Sequence, residues 1–240
     1  MKKIFVMLIF IFCYAYEGFS QDTISIKIIS KEPVKSKITP LLFGNFFEFL
    51  NDFINGDYGL WAQELYNRGF DLAEGNSPDN WKTFVKPEFP EDSVTICSGG
   101  YNPNGKYYLR IKNNNINSAS GLFQNVYVYD TVGGLFYVYL KSGTSPGKVF
   151  LQFSDTSSKE IFFQEEIIGI TDRWTKFSIN TQPVWQKHRI NLTIVMEGNG
   201  ELDLDEASFM PQNNLMGIKN DYFQLFKDWK PGILIIASNK

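Results

Sequence analysis

Gly121-Leu122-Phe123-Gln124-Asn125-Val126-Tyr127-Val128-Tyr129 is followed, four residues on, by Gly134-Leu135-Phe136-Tyr137-Val138-Tyr139-Leu140-Lys141-Ser142. In the first run Leu122, Val126 and Val128 suit a core, with Phe123, Asn125, Tyr127 and Tyr129 on the opposite side. In the second, Phe136, Val138 and Leu140 suit the core, and Tyr137 and Tyr139 lie opposite. A period of two is the signature of a strand with one buried face. Further short runs on either side read the same way: Trp81-Val85, Ser93-Cys97, Lys106-Lys112, Lys148-Ser154, Glu160-Ile167, Arg173-Asn180, His188-Met196 and Gly200-Met210. Turn signals separate them, among them Asn102-Pro103-Asn104-Gly105, Ser145-Pro146-Gly147 and Gly198-Asn199-Gly200. Short strands at such spacing, with no long helical pattern between them, predict a jelly-roll β-sandwich from about Asn76 to Pro211.

The outward residues of these strands have a composition suited to sugars. Aromatic rings stack on the C–H faces of pyranose or furanose rings, while amides and carboxylates take the hydroxyls. Gln152 lies opposite Leu151 and Phe153, and Asn191 opposite Ile190 and Leu192. The alternation therefore predicts one sheet presenting Phe123, Asn125, Tyr127, Tyr137, Tyr139 and Gln152 together, with Trp185 extending the cleft from its loop. Trp81 and Trp174, which open strands, are assigned to core packing. A one-residue slip would exchange the faces.

Bulk properties exclude some classes. A formal net charge of −3 gives no basic field, so nucleic acid is not expected as a partner. Met1-Lys2-Lys3, an apolar run Ile4-Tyr14 too short to span a bilayer, and Gly18-Phe19-Ser20-Gln21 read as a signal peptide over residues 1–21. The expectation is a secreted or periplasmic protein with no membrane attachment after cleavage. Cys97 would then be the one cysteine left, so no internal disulfide is expected.

The flanks read differently. Residues 22–74 begin with an alternating strand (Ile24, Ile26, Ile28), then Leu41-Leu50, almost wholly apolar around Asn45 and Glu48. Gly59-Arg68 reads as a helix with Trp61 and Leu65 on one face and Gly69 as its cap. After the sandwich (75–212), residues 213–240 give a helix over Lys219-Lys230 and a short strand Ile233-Ile236. The whole predicts a mainly β protein: a sandwich inserted between fragments of an incomplete (β/α) barrel.

Two stretches of the flanks carry a resemblance. Ile38-Thr39-Pro40-Leu41-Leu42-Phe43-Gly44-Asn45-Phe46-Phe47-Glu48 with Gly59-Leu60-Trp61-Ala62-Gln63-Glu64-Leu65-Tyr66-Asn67-Arg68-Gly69-Phe70 resembles the opening of glycoside hydrolase family 51 α-L-arabinofuranosidases. Leu204-Asp205-Glu206-Ala207-Ser208-Phe209-Met210-Pro211 and Lys230-Pro231-Gly232-Ile233-Leu234 are similar to that family's return to its barrel. The sandwich resembles carbohydrate-binding modules of the 4/9/22 (CenC) type. The resemblance implies that Glu48 helps hold sugar hydroxyls, and that the two catalytic carboxylates, about 5–5.5 Å apart in retaining enzymes, belong to later barrel strands. It implies a carbohydrate-binding fragment, inactive alone, for arabinan or arabinoxylan. It also implies a possible structural calcium at Asp205, which shares a face with Glu201 and Asp203.

Two other readings stay open. One is a piece of a split or truncated hydrolase that needs a downstream catalytic polypeptide; the other is a structural surface adhesin. Apolar residues of the unfinished barrel, including Phe46, Phe47, Trp61, Phe226 and Trp229, predict that the full chain is poorly soluble while residues 75–212 fold well alone.

Overall fold

The computed structural model describes residues 59–75, 77–127, 132–144, 146–183 and 189–230, and the backbone of two outlying strands, Gly44–Phe47 and Ile233–Ile236. The signal-peptide reading and the strand with Ile24, Ile26 and Ile28 lie outside these residues. In chain order the strands are β1 (Gly44–Phe47), β2 (Ala73–Glu74), β3 (Ser77–Pro78), β4 (Lys82–Val85), β5 (Ser93–Ser98), β6 (Tyr107–Asn113) and β7 (Ala119–Tyr127). They continue with β8 (Gly134–Lys141), β9 (Lys148–Asp155), β10 (Ile161–Glu166), β11 (Thr175–Asn180), β12 (Arg189–Glu197) and β13 (Gly200–Pro211). The helix α1 (Asn220–Trp229) and strand β14 (Ile233–Ile236) follow.

The protein is a mainly β sandwich of two five-stranded antiparallel sheets. The first sheet has the order β10-β9-β12-β7-β4 and the second β11-β8-β13-β6-β5. All ten sandwich strands match the runs read from the sequence to within two residues at each end. Inward positions alternate as expected: Leu122 and Val126 on β7, Phe136, Val138 and Leu140 on β8, and Leu151 and Phe153 on β9 are all buried. They join Leu109, Ile111, Ile190, Leu192, Ile194 and Leu202 in one core between the sheets. Within the first sheet β7 and β12 approach so closely that Gly121, opposite Val195, has no room for a side chain. A Cβ there would lie 2.2 Å from the Ile194 carbonyl oxygen.

β13 breaks its alternation once. Leu202 and Leu204 point inward, yet further on the inward residues are Ala207 and Phe209. The register against β8 shifts between Asp205 and Ser208, where Glu206 takes a left-handed φ of 50°. One extra residue thus moves the core positions from even to odd numbers and bends the strand.

Residues 59–70 do not form the helix predicted over Gly59-Arg68. Residues 61–65 run alongside the far end of β13 and the approach to α1, and residues 66–70 turn, with left-handed φ at Asn67 and Phe70. The Ala62 N–H donates to the Gly217 carbonyl (2.7 Å), Glu64 N–H to that of Phe209 (2.9 Å), and Ala207 N–H to that of Arg68 (3.0 Å). Gln63 completes the join. Its Nε2 donates to Ser208 Oγ (2.7 Å), and its Oε1 accepts from the N–H groups of Phe209 (2.9 Å) and Leu65 (3.1 Å). Leu65 and Phe70 enter the sandwich core itself. The helix is lost because these cross-chain partners, and the burial of Leu65 and Phe70, outweigh the weak helical preference of a ten-residue segment. This seam makes residues 59–74 part of the sandwich, which therefore begins before residue 75.

Outside the sandwich, β1 pairs in parallel with β14, Gly44 opposite Ile233 and Phe47 opposite Ile236. α1 precedes β14, closing with Lys230 in a left-handed cap whose N–H donates to the Phe226 carbonyl (3.0 Å). Phe223, Leu225 and Trp229 of α1 are exposed. A buried ion pair, Lys219 Nζ to Glu64 Oε1 at 3.6 Å, ties the foot of α1 to the seam. Among the described residues no helix is long and apolar enough to cross a membrane.

Candidate functional site

The first sheet's outer face gathers polar side chains from neighbouring strands. Phe123, Asn125 and Tyr127 project outward from β7, because Leu122, Gln124 and Val126 take the inward positions. β12 lies beside β7 in a register that places Asn191 opposite Asn125 and Arg189 opposite Tyr127. A cleft of about 530 Å³ opens there, bordered by Tyr66, Lys82, Phe123, Asn125, Arg189 and Asn191. Arg189 Nη1 donates to Asn125 Oδ1 (3.4 Å), and the Lys82 ammonium stands 6.0 Å from the Phe123 ring centre. Phe84 packs against Phe123 with ring centres 6.4 Å apart. The cleft's floor is held by Gln124, whose side chain makes two hydrogen bonds to the Tyr66 backbone, at 2.8 and 3.1 Å. Chemically the cleft offers aromatic, amide and cationic side chains together, a set that fits hydroxyl-rich ligands. Gln152 faces the same way from β9 but is paired with Gln164 (2.9 Å) on the next strand.

Tyr137 and Tyr139 are not on that face. β7 belongs to the first sheet and β8 to the second, so the two strands turn their outward residues to opposite sides of the molecule. The expected single site is thereby split. Alternation reports which residues face outward, but it carries no record of whether the chain folds back as a hairpin or crosses to the other sheet. Trp174 is likewise on the second sheet's outer face rather than in the core. Lys141 Nζ lies 4.7 Å from its ring centre, and the Tyr108 ring meets it edge-on at 5.7 Å. Burial, foremost, and then the Asp203 charge push the Tyr108 phenol above its usual range. Trp81 is in the core as expected, its Nε1 donating to the Asn67 carbonyl (3.1 Å).

On the second sheet each tyrosine has its own partner. Arg68 of the seam donates to the Tyr137 hydroxyl and lies 5.7 Å over the ring, with Lys176 3.9 Å from the ring centre. Tyr101, from the loop between β5 and β6, stacks on Tyr139 with ring centres 3.6 Å apart. The hydrogen bond with Tyr101, then burial, holds the Tyr139 phenol up at about 12.

Asp205 lies beneath that loop, buried, with Oδ2 accepting from the Tyr101 N–H (2.7 Å) and Oδ1 from the Glu206 N–H (2.8 Å). Burial, opposed by these N–H donors, raises its carboxyl to about 6. These surroundings do not fit the calcium suggested for Asp205. Its oxygens face N–H groups, which repel a cation, and the described residues hold no cluster of three acidic, histidine or cysteine side chains. Asp203 and Glu201 are engaged elsewhere: Arg110 Nε and Nη2 grip Asp203 at 2.6 and 2.9 Å, and Lys112 lies 3.4 Å from Glu201. Glu48, Trp185, His188 and Tyr129 lie outside the described residues. The sequence reading missed Tyr101 and Arg68 as parts of this surface. The paired glycines Gly99-Gly100 before Tyr101 were the available signal.

No family model matches the chain. In sequence it is similar to two Arabidopsis thaliana proteins. α-L-Arabinofuranosidase 2 is 25% identical over 87% of this chain and 33% of its own length. α-L-Arabinofuranosidase 1 is 27% identical over 81% of this chain and 30% of its own. The chain is homologous to α-L-arabinofuranosidases over most of its length. It spans about a third of the length of the curated relatives it matches. Its fold is shared with an arabinose-bound α-L-arabinofuranosidase, MgGH51, at a TM-score of 0.66 and 17% identity over 85% of this chain and 35% of that one. A weaker likeness is to the CBM22-1 xylan-binding domain of Paenibacillus barcinonensis Xyn10C, with a TM-score of 0.45 and 16% identity over 62% of this chain and 94% of that one.

Proposed function

We propose that this chain is the carbohydrate-binding part of an α-L-arabinofuranosidase-like protein, and that its first-sheet cleft holds arabinose-bearing plant polysaccharide such as arabinan or arabinoxylan. The observation that carries the reading is the similarity to α-L-arabinofuranosidases across 87% of the chain. The cleft supplies the chemistry: Phe123 for a sugar's C–H face, Asn125 and Asn191 for its hydroxyls, Arg189 to steer the amides. The positively charged, apolar N-terminus favours export, to the periplasm or the medium.

Hydrolysis with retention needs two carboxylates about 5–5.5 Å apart. We assign those to barrel strands that extend the parallel β1–β14 pair, supplied by the same or a separate polypeptide. On this reading the sandwich delivers substrate and the barrel cleaves it.

The test is calorimetry of the full chain with arabinan, arabinoxylan, xylan and β-glucan, beside an Asn125→Ala/Asn191→Ala variant. Saturable binding to an arabinose-bearing polymer, weakened about tenfold or more in the variant, is expected. Binding that the variant leaves intact would remove the cleft from the function; no binding to any polymer would remove the function itself.

A further inference from the structure

The loop Gly99–Gly105 is held down at unusual expense for a surface turn. Its anchor is the buried carboxylate of Asp205, which accepts the Tyr101 N–H at 2.7 Å and the Asn102 N–H at 3.4 Å. Burying a carboxylate costs stability unless hydrogen bonds offset it. The approach is so close that Gly100, at φ +145°, is the residue that permits it: a Cβ there would lie 2.4 Å from Asp205 Oδ2. Asn102 Nδ2 donates to Glu206 Oε1 at 2.8 Å, and Asp71 Oδ1 accepts the N–H groups of Lys106 and Tyr107 at 2.5 and 3.1 Å. The outcome of all this is one ring. Tyr101 is laid flat on Tyr139, at an interplanar angle of 14°, with 42% of the residue still in solvent. An aromatic ring held in place from beneath and still partly in solvent is ready to receive a ligand without further ordering.

We propose that the cleft of about 540 Å³ between this loop and β8 is a second glycan site, taking the C–H face of a neutral sugar ring on Tyr101 and its hydroxyls on Glu206 and Asn102. Neutrality follows from the charges at hand. Glu206 disfavours uronates and phosphates. The Arg68 guanidinium, 3.5 Å from Glu206, and the Lys176 ammonium over Tyr137 disfavour a cationic ligand in what would otherwise resemble an aromatic cage. The site lies on the second sheet, on the other side of the sandwich from the Asn125 cleft, so the two are independent. With both occupied, one chain bridges two glycan strands.

The experiment is calorimetric titration of the full chain with linear arabinohexaose, with xylohexaose and with choline. It uses Tyr101→Ala, Glu206→Gln, Asn125→Ala/Asn191→Ala and the combination of all four substitutions, with melting curves for each. Two bound chains per protein are expected for the wild type, one for Tyr101→Ala, one for the asparagine pair and none for the combination. Glu206→Gln, which keeps an amide oxygen in place, should weaken the second site at least tenfold without altering the first. A wild-type stoichiometry of one that Tyr101→Ala and Glu206→Gln leave untouched overturns the second site alone. Binding abolished by Tyr101→Ala but indifferent to the asparagine pair supports it while removing the first-sheet cleft. Binding of choline with no binding of either hexaose overturns it in favour of a cation cage.

Discussion

In the sandwich interior Phe136, Phe153 and Leu192 are enclosed by other apolar side chains, and any of several neighbours would serve as well. In the seam between residues 59–70 and 206–219, by contrast, Gln63 alone serves Ser208, Phe209 and Leu65 with three hydrogen bonds. The interior is held by non-directional burial and the seam by partners that must be in place. Both are buried, yet they fail in different ways. An apolar core that loses atoms is left with a cavity; a buried amide that is removed leaves groups wanting partners. The two stretches whose sequences resemble arabinofuranosidases meet along this seam, so the resemblance marks a join between structural parts.

The sharpest way to break the contrast is to remove the seam altogether. Residues 75–212 alone would lose Leu65 and Phe70 from the core and Gln63 from β13. At about 1.5–3 kcal/mol for each buried side chain, and roughly 2–4 °C per kcal/mol for a domain of this size, melting should fall by about 10 °C or more relative to residues 59–219. Equal melting of the two fragments would show that the seam is an ornament on an independent sandwich. Next in size is a cut into the interior: Phe153→Ala, at a fully buried position touching Phe163 and Phe209, should cost about 3–5 kcal/mol in chemical denaturation. Gln63→Ala comes after it, at about 2–3 kcal/mol, although it removes no core atoms. A Gln63→Ala cost below that of an exposed substitution such as Lys148→Ala would mean that water replaces the lost bonds.

The same contrast explains what was legible. All ten sandwich strands were readable because Leu122, Phe136, Leu151 and Ile190 report burial at every second residue, and the turns between them carry glycine, proline and asparagine. The inward faces followed directly. What alternation cannot encode is which sheet a strand joins, and so it groups Tyr137 and Tyr139 with Asn125 although they lie on the other side. The seam is hidden in the sequence for a related reason. Trp61 and Leu65 have helical spacing, but the partners that keep the segment extended are Phe209 and Gly217, well over a hundred residues away. The bulge at Glu206 left no mark either, since Asp205-Glu206 reads as any polar pair on a strand.

The smallest effect sharpens the comparison most, because it sets burial against hydrogen bonding within one side chain. Asp205 is buried like a core residue and bonded like a seam residue, and burial wins: its carboxyl titrates near 6 in the folded protein against 3.8 for the free group. A raised acid pKa means that the folded state holds its proton over a range where the unfolded chain has released it. Asp205 therefore favours the fold fully only below about pH 4, and that advantage is lost as pH rises through about 6, with no further change above. Other groups titrate over the same range, so the quantity to measure is a difference. Melting temperature of the wild type minus that of Asp205→Asn, taken from pH 4 to pH 7, should decline by a few degrees and level off near pH 6.5. A difference that rises with pH would mean that the backbone N–H groups of Tyr101, Asn102 and Glu206 stabilise the ionised carboxylate by more than burial opposes it. Asp205 would then belong wholly with the seam, and the loop carrying Tyr101 would be held most firmly at neutral pH.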